Sequence, residues 1–326
     1  MPLVSIIIPS YNSENTVLAT VESVLQQTLK DFEIILINDG STDGTLALLN
    51  AINDPRLRIF SFENGGLATA RNRGIQRATG DYLTFLDADD LWTPDKLEKQ
   101  VNALQQAPGA GVAYSWTRSM DSSGELFYDA NADSFTGDVY AQLLLGNFIT
   151  SGSNIMVTKE AAASVGLFDG SLNPCEDWDY SLRLAKQWPF VVVAEPQILY
   201  RQSSGSMSTN FKKVETACWQ VCEQALAQIT PDRIKGGSKQ QLEARCKARI
   251  SQYLAQIALN NLQNRQTLGY ASTQLWQCIR LWPGMLLESK TQRLVVKFLL
   301  LSLSPSSGRK VLKRITLQRG SSCVEA

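Results

Sequence analysis

Asp87-Ala88-Asp89-Asp90 holds the residue types best suited to chemistry in this 326-residue chain. The apolar run Tyr82-Leu83-Thr84-Phe85-Leu86 reads as a buried strand that delivers two carboxylates, one residue apart, to its C-terminal edge. Carboxylate oxygens are hard ligands. One or two of them, joined by the phosphates of a substrate, are the usual way to hold Mg²⁺ or Mn²⁺. Alone, such a triplet is also a common acidic loop that only faces water.

The elements around it decide what it can serve. Leu3-Val4-Ser5-Ile6-Ile7-Ile8 is an apolar strand ended by Pro9-Ser10-Tyr11-Asn12. Residues 14–28 follow with helical spacing (Val17, Val21, Val24, Leu25), and Ser13 is the expected N-cap. Phe32-Glu33-Ile34-Ile35-Leu36-Ile37 is a second strand running into the turn-rich Asn38-Asp39-Gly40-Ser41-Thr42-Asp43-Gly44-Thr45. Residues 56–62 form a third, followed by Asn64-Gly65-Gly66 and a helix over 67–78 that carries Arg71 and Arg73. This alternation predicts right-handed βαβ units and a mostly parallel sheet covered on both faces. Ligands of such sheets bind outside the carboxyl ends of the strands, where Tyr11, Asp39 and Asp87 all fall. Each also has a plainer use. Tyr11 is equally an exposed turn residue and Asp39 an Asx-turn former beside Gly40, while Arg71 and Arg73 fit a solvated helix face.

Taken in order, Pro9-Ser10-Tyr11-Asn12, Asn38-Asp39-Gly40-Ser41-Thr42-Asp43-Gly44, Ala70-Arg71-Asn72-Arg73-Gly74, Phe85-Leu86-Asp87-Ala88-Asp89-Asp90, Val165-Gly166-Leu167-Phe168-Asp169 and Cys175-Glu176-Asp177-Trp178-Asp179-Tyr180 resemble the successive motifs of family 2 inverting glycosyltransferases. The likeness covers residues 3–208. It implies an α/β GT-A fold, with a Rossmann-like nucleotide-binding half fused to a mixed-sheet acceptor half. It also implies roles: Pro9, Tyr11, Asn12, Asp39, Arg71, Asp87 and Ala88 bind the nucleotide sugar. Tyr11 stacks on the base, Asp39 accepts the imide N–H of uracil or thymine, Arg71 lies near base and phosphates, and Asp87 reaches the ribose or donor sugar. Asp89 coordinates a divalent cation, Mg²⁺ or Mn²⁺, that bridges the phosphates and stabilises the departing nucleoside diphosphate.

An inverting transfer needs one base to take the acceptor proton. The chain has no histidine, so a carboxylate must serve. By resemblance Asp177 is that base, with Glu176 and Trp178 shaping the acceptor pocket. Acids here also suit the start of a helix over 177–186 through the helix dipole, and both uses are compatible. Many family members carry a histidine shortly after a Tyr-Arg pair. Here Tyr200-Arg201-Gln202-Ser203 places Ser203 there, which leaves the cation to Asp89, phosphates and water.

Met1 leads straight into the first strand, so no signal peptide is expected, and the six cysteines show no disulfide framework. Both suit a cytoplasmic location. Residues 1–210, the expected catalytic domain, hold 25 Asp and Glu against 13 Lys and Arg; residues 211–326, an expected basic helical region, hold 6 against 18. No acid lies between Glu288 and Glu325, while eight basic residues do. The apolar stretch 294–303 is about half as long as a membrane span requires. A short apolar helix among basic residues fits an anionic membrane surface or a lipid-phosphate acceptor, and equally a basic packing face. The expected activity is sugar transfer from a UDP- or dTDP-sugar to a glycan or lipid-linked acceptor in cell-surface glycan synthesis, with no nucleic acid involved. The alternative is a non-catalytic nucleotide-sugar-binding protein of the same fold. A nucleotidyltransferase is disfavoured because no glycine-rich phosphate loop occurs early in the chain.

Overall fold

β1 (Val4–Ser10) is buried along its whole length and takes a parallel partner on each side, β2 (Phe32–Asn38) and β4 (Tyr82–Phe85). Its unbroken apolar run is the pattern of a strand covered on both faces. This computed structural model describes every residue except 122, 123, 132, 203–210, 231–236, 261, 263, 264 and 304–326. The chain divides into two compact units: Met1–Leu143 with Asn147–Ser203, and the described residues from Phe211 onward with Leu144–Gly146.

In the first unit the remaining strands are β3 (Leu57–Ser61), β5 (Leu91–Trp92), β6 (Val112–Met120), β7 (Leu126–Asn131), β8 (Met156–Thr158) and β9 (Phe190–Arg201). They form one mixed sheet in the order β3-β2-β1-β4-β8-β6-β9-β5, with β7 paired to β6 off this path. The β3-to-β4 side is parallel. From β8 onward the pairing is mixed: β8 runs antiparallel to both neighbours and β9 parallel to β6. The helices are α1 (Val17–Leu25), α2 (Thr45–Asn50), α3 (Leu67–Ile75), α4 (Lys96–Gln106), α5 (Tyr140–Leu145), α6 (Lys159–Val165) and α7 (Glu176–Ala185). Ile6, Ile8, Val21, Ile34, Leu36 and Leu97 build the main core, while Ile35, Ile37 and Ala70 close the other face.

Two elements are shorter than the spacing predicts. α1 starts at Val17 because the preceding turn is held elsewhere: Glu14 N–H donates to Asp43, and Gly44 N–H to the Glu14 carboxylate. Ser13 contributes its carbonyl to Thr16 and Val17 N–H, while its hydroxyl meets Ser10. α3 stops at Ile75, and Arg77 and Ala78 close turn-type bonds to Gly74 and Ile75.

The second unit is helical in its described residues: α8 (Phe211–Ala227), α9 (Lys239–Asn260), α10 (Arg265–Leu281), a 3-10 turn Pro283–Leu287 and α11 (Ser289–Leu303). Ala255, Ala258, Leu259, Ala271, Leu275 and Leu294 share its core. Gln252 donates to Thr291 within it, and Arg249 pairs with Glu288. Among the described residues, no helix is long and apolar enough to cross a membrane.

Candidate active site

The parallel register sets the C-terminal ends of β1, β2 and β4 side by side, so three loops open on one edge. The loop after β1 puts Pro9 in the strand, buried, and Tyr11 beyond it, 53 % exposed. Asn12 stands in the left-handed region at φ 47°, and its side chain accepts Thr42 N–H at 2.8 Å while its own N–H donates to Ser41. Asn12 thereby ties the first loop to the second and sets where Tyr11 is presented.

Asp39 follows β2 and is almost wholly buried. Its carboxylate accepts N–H groups from Gly65 and Gly66 and a 2.6 Å ion pair from Arg73. Gly66 adopts φ 85° to aim its N–H there, a conformation glycine takes without strain. Asp39 thus pins the loop that starts α3.

Arg71, one face away on α3, is 2 % exposed. This rules out the solvated-face reading for it. Its guanidinium donates to Glu176 at 2.7 Å and to Asp87 at 2.6 Å, lies over the Phe168 ring, and leaves Nε without a partner. A Cβ on Gly152 would stand 2.3 Å from its Nη2, so only glycine admits the guanidinium here. Burial works against its charge, but Asp87, Glu176 and Asp177 outweigh that and hold its pKa above the ordinary arginine value.

The acidic loop after β4 splits its roles. Asp87 is half-buried and faces Arg71. Ala88 is buried, and its carbonyl accepts the Thr16 and Thr20 hydroxyls. Burial, and then Asp87, push the Asp89 carboxyl up to about 6. Asp90 is fully buried and anchors the loop, accepting Ser153 Oγ–H at 2.6 Å and Arg201 N–H at 2.9 Å. Burial, then Asp89 and Asp87, raise its pKa well above the carboxylate range. Among the described residues no group of three or more His, Cys, Asp or Glu could hold a metal ion. Asp89 and Asp87 are nevertheless a mutually repelling pair in poor solvent, a charge set that one divalent cation, completed by phosphate oxygens, would neutralise.

Glu176 and Asp177 open α7. Glu176 is buried, with Oε1 on Arg71 and Oε2 unpartnered. Asp177 is half-buried beside a small pocket that it lines with Ser181, Ser151, Gly152, Phe85 and Phe168. Burial, and then Glu176, push its pKa up to about 7 against the opposing pull of Arg71. Trp178 is buried, its indole N–H donating to the Leu143 carbonyl. Arg201 donates to the Asp89 carbonyl; the Ser203 position lies outside the described residues.

The structure therefore brings Arg71, Asp87, Glu176 and Asp177 into one cluster and puts Asp39 in a second, with Arg73. Ser153 and Gly152 are not singled out by the sequence, and Asp90 only as a member of the acidic run. Ser153 accepts Asp87 N–H and donates to Asp90, fixing both ends of the acidic loop. The only local signal was the small-residue run Ser151-Gly152-Ser153.

Residues 5–166 match the family described as Glycosyl transferase family 2. The chain belongs to that family. Within it, the sequence is 30 % identical to a chondroitin synthase of Escherichia coli over 217 residues, which is 66 % of this chain and 31 % of that protein. It is 32 % identical to a hyaluronan synthase of Pasteurella multocida over 66 % of this chain and 22 % of that one. The chain thus spans a third or less of the length of these two relatives. The fold is similar to that of S. aureus TarS 1-349 solved with UDP-GlcNAc, at TM-score 0.62 and 15 % identity over 98 % of this chain and 92 % of that one. It is also similar to the Pyrobaculum calidifontis mannosyltransferase solved with GDP-Man and Mn²⁺, at TM-score 0.55 and 17 % identity over 97 % and 85 %. Both likenesses bear out the GT-A architecture.

Proposed function

We propose that this family 2 member transfers a hexose from a nucleotide-sugar donor to an acceptor hydroxyl with inversion, in the synthesis of a polysaccharide, lipid-linked or other cell-surface glycan. The carrying observation is the buried Arg71 bridge, which joins Asp87 on the donor edge to Glu176 at the start of the helix that bears Asp177. A carboxyl group with a pKa near 7 is well matched to general-base work near neutrality. The Asp177 carboxylate takes the proton of the acceptor hydroxyl, the acceptor oxygen bonds to the anomeric carbon, and the bond from that carbon to the diphosphate breaks on the opposite side. The nucleoside diphosphate leaves with the electron pair. Asp89, with the diphosphate, would hold a divalent cation, Mg²⁺ or Mn²⁺, which would supply positive charge to that leaving group. Tyr11 offers its exposed ring to the base, and Asp39 selects uracil or thymine through a lone pair not used by Gly65, Gly66 or Arg73. Glu176 and Trp178 form the floor of the acceptor side, and residues 121–150 supply its variable wall. The enzyme works from the cytoplasmic side, with its basic C-terminal region against anionic lipid.

The test is Asp177→Asn, assayed by release of nucleoside diphosphate from a panel of UDP- and dTDP-sugars, with donor affinity read by calorimetry. Turnover falls by about 10²-fold or more, while donor binding is retained. Near-normal turnover in the variant would remove Asp177 as the base.

A further inference from the structure

Eleven large apolar side chains are exposed among the described residues, and four of them, Leu286, Leu287, Val296 and Leu299, crowd into a 14-residue stretch. Leu287 is 85 % exposed, Val296 55 % and Leu299 51 %. They are not an unfinished core. α11 already turns Thr291, Leu294 and Leu301 inward, and Leu294 and Leu301 pack with Ala255, Ala258 and Leu259 of α9. The exposed positions 292, 293, 296 and 299 recur at three- and four-residue intervals and so share the opposite face. A helix whose outer face met only water would carry polar residues there.

Charge narrows what meets this face. Arg293 is exposed on the same face of α11 as Val296 and Leu299, and residues 289–324 contain no acid. Residues 211–326 carry a net charge of +12, so two copies brought together through this region repel each other. A nucleic acid would answer the charge but offers no apolar depth for Leu287, Val296 and Leu299. An anionic bilayer interface answers both, because leucine and valine enter the acyl boundary while lysine and arginine stay at the headgroups. We propose that the face formed by Leu286, Leu287, Val296 and Leu299, with Arg293, is the seat of this protein on an anionic lipid surface. This rests on the lipid reading above and adds the residues that make the contact, placing them in the described 3-10 turn and α11 rather than in the basic stretch 309–319.

The experiment is co-sedimentation of the full chain with vesicles of phosphatidylcholine alone or mixed with phosphatidylglycerol. The parent is compared with a combined Leu287→Gln, Val296→Gln, Leu299→Gln variant. None of the three residues belongs to the active site, so release of nucleoside diphosphate should be unchanged, and far-UV circular dichroism reports whether the helical unit of the variant is folded. An Arg293→Gln variant provides the charge arm. The parent is expected to bind the mixed vesicles at low salt and to be released as salt rises. The apolar variant should bind about tenfold more weakly or less, and the charge variant should lose part of the salt dependence. Equal binding by parent and apolar variant would overturn this face while leaving the lipid contact to the rest of the basic region. No binding by the parent would overturn both. Concentration-dependent self-association of the parent that the apolar variant abolishes would make the face a contact between copies, which also overturns the proposal.

Discussion

Arg71 and Arg73 sit two residues apart on the same helix and live in opposite circumstances. Residues at this spacing do not share a helix face. Arg73 is 23 % exposed, and it shares Asp39 with two backbone N–H groups. Arg71 is buried, and for the Glu176 carboxylate it is the one hydrogen-bond donor among the described residues, since Oε2 has none. A carboxylate held by several donors loses little with one of them, whereas removing the single donor of a buried one leaves an uncompensated charge. The Ala-Arg-Asn-Arg-Gly motif therefore contains one tether that can be spared and one clamp that cannot.

The most damaging test of that contrast is Arg71→Met. It strands Glu176 and Asp87, and unfolding in urea is expected to show a loss of about 3–5 kcal/mol. Arg71→Lys should recover little, because a single ammonium cannot reproduce the two-carboxylate fork. A stability equal to the parent would dissolve the distinction between the two arginines.

Arg73→Gln is the counterpart, with an expected loss of about 1 kcal/mol or less, since Gly65 and Gly66 still hold Asp39. A loss comparable to that of Arg71→Met would show that Asp39 depends on the ion pair and not on the backbone.

The gentlest probe is pH, through the group that Arg71 restrains. Asp177 is pushed up to about 7 in the folded protein, against about 3.9 in an unfolded chain. Between these values the native state binds more protons than the unfolded one, so this carboxyl lowers stability as pH rises through the window and does so fully above it. Asp177→Asn removes that slope. Thermal melts at pH 5 and pH 8 should show a drop in the parent that the variant reduces by a few degrees. An unchanged drop would place the titration elsewhere. Over the same window, transfer should gain rate in the parent as the proposed base ionises.

The parallel half of the sheet was legible because β1 and β2 announce themselves as unbroken apolar runs, and the strand-end position of Asp87 follows from them. The clamp was not legible. Arg71 and Glu176 are 105 residues apart, and Ser153 and Asp90 are 63 apart; no local pattern encodes pairings of that span. Motif resemblance named Arg71 and Glu176 separately without joining them. α1 is three residues shorter at each end than its spacing predicts, and its start has a related reason: helical spacing is local, but Glu14 is captured by the Asp43-Gly44 segment across the loop edge. Asp90 was read as part of an acidic run, although its burial makes it an anchor rather than a ligand.

Gly152 has a consequence for how such a protein diversifies. Any side chain there must displace the Arg71 guanidinium, so drift at this position is coupled to the fate of two carboxylates contributed by distant parts of the chain. Among the described residues of 121–150, which lead up to it, no contact with Arg71 is seen. Substitution at the exposed positions of that segment meets no such constraint, and it should halt at Ser151-Gly152-Ser153, where one side chain added at Gly152 would disturb the clamp between both carboxylates.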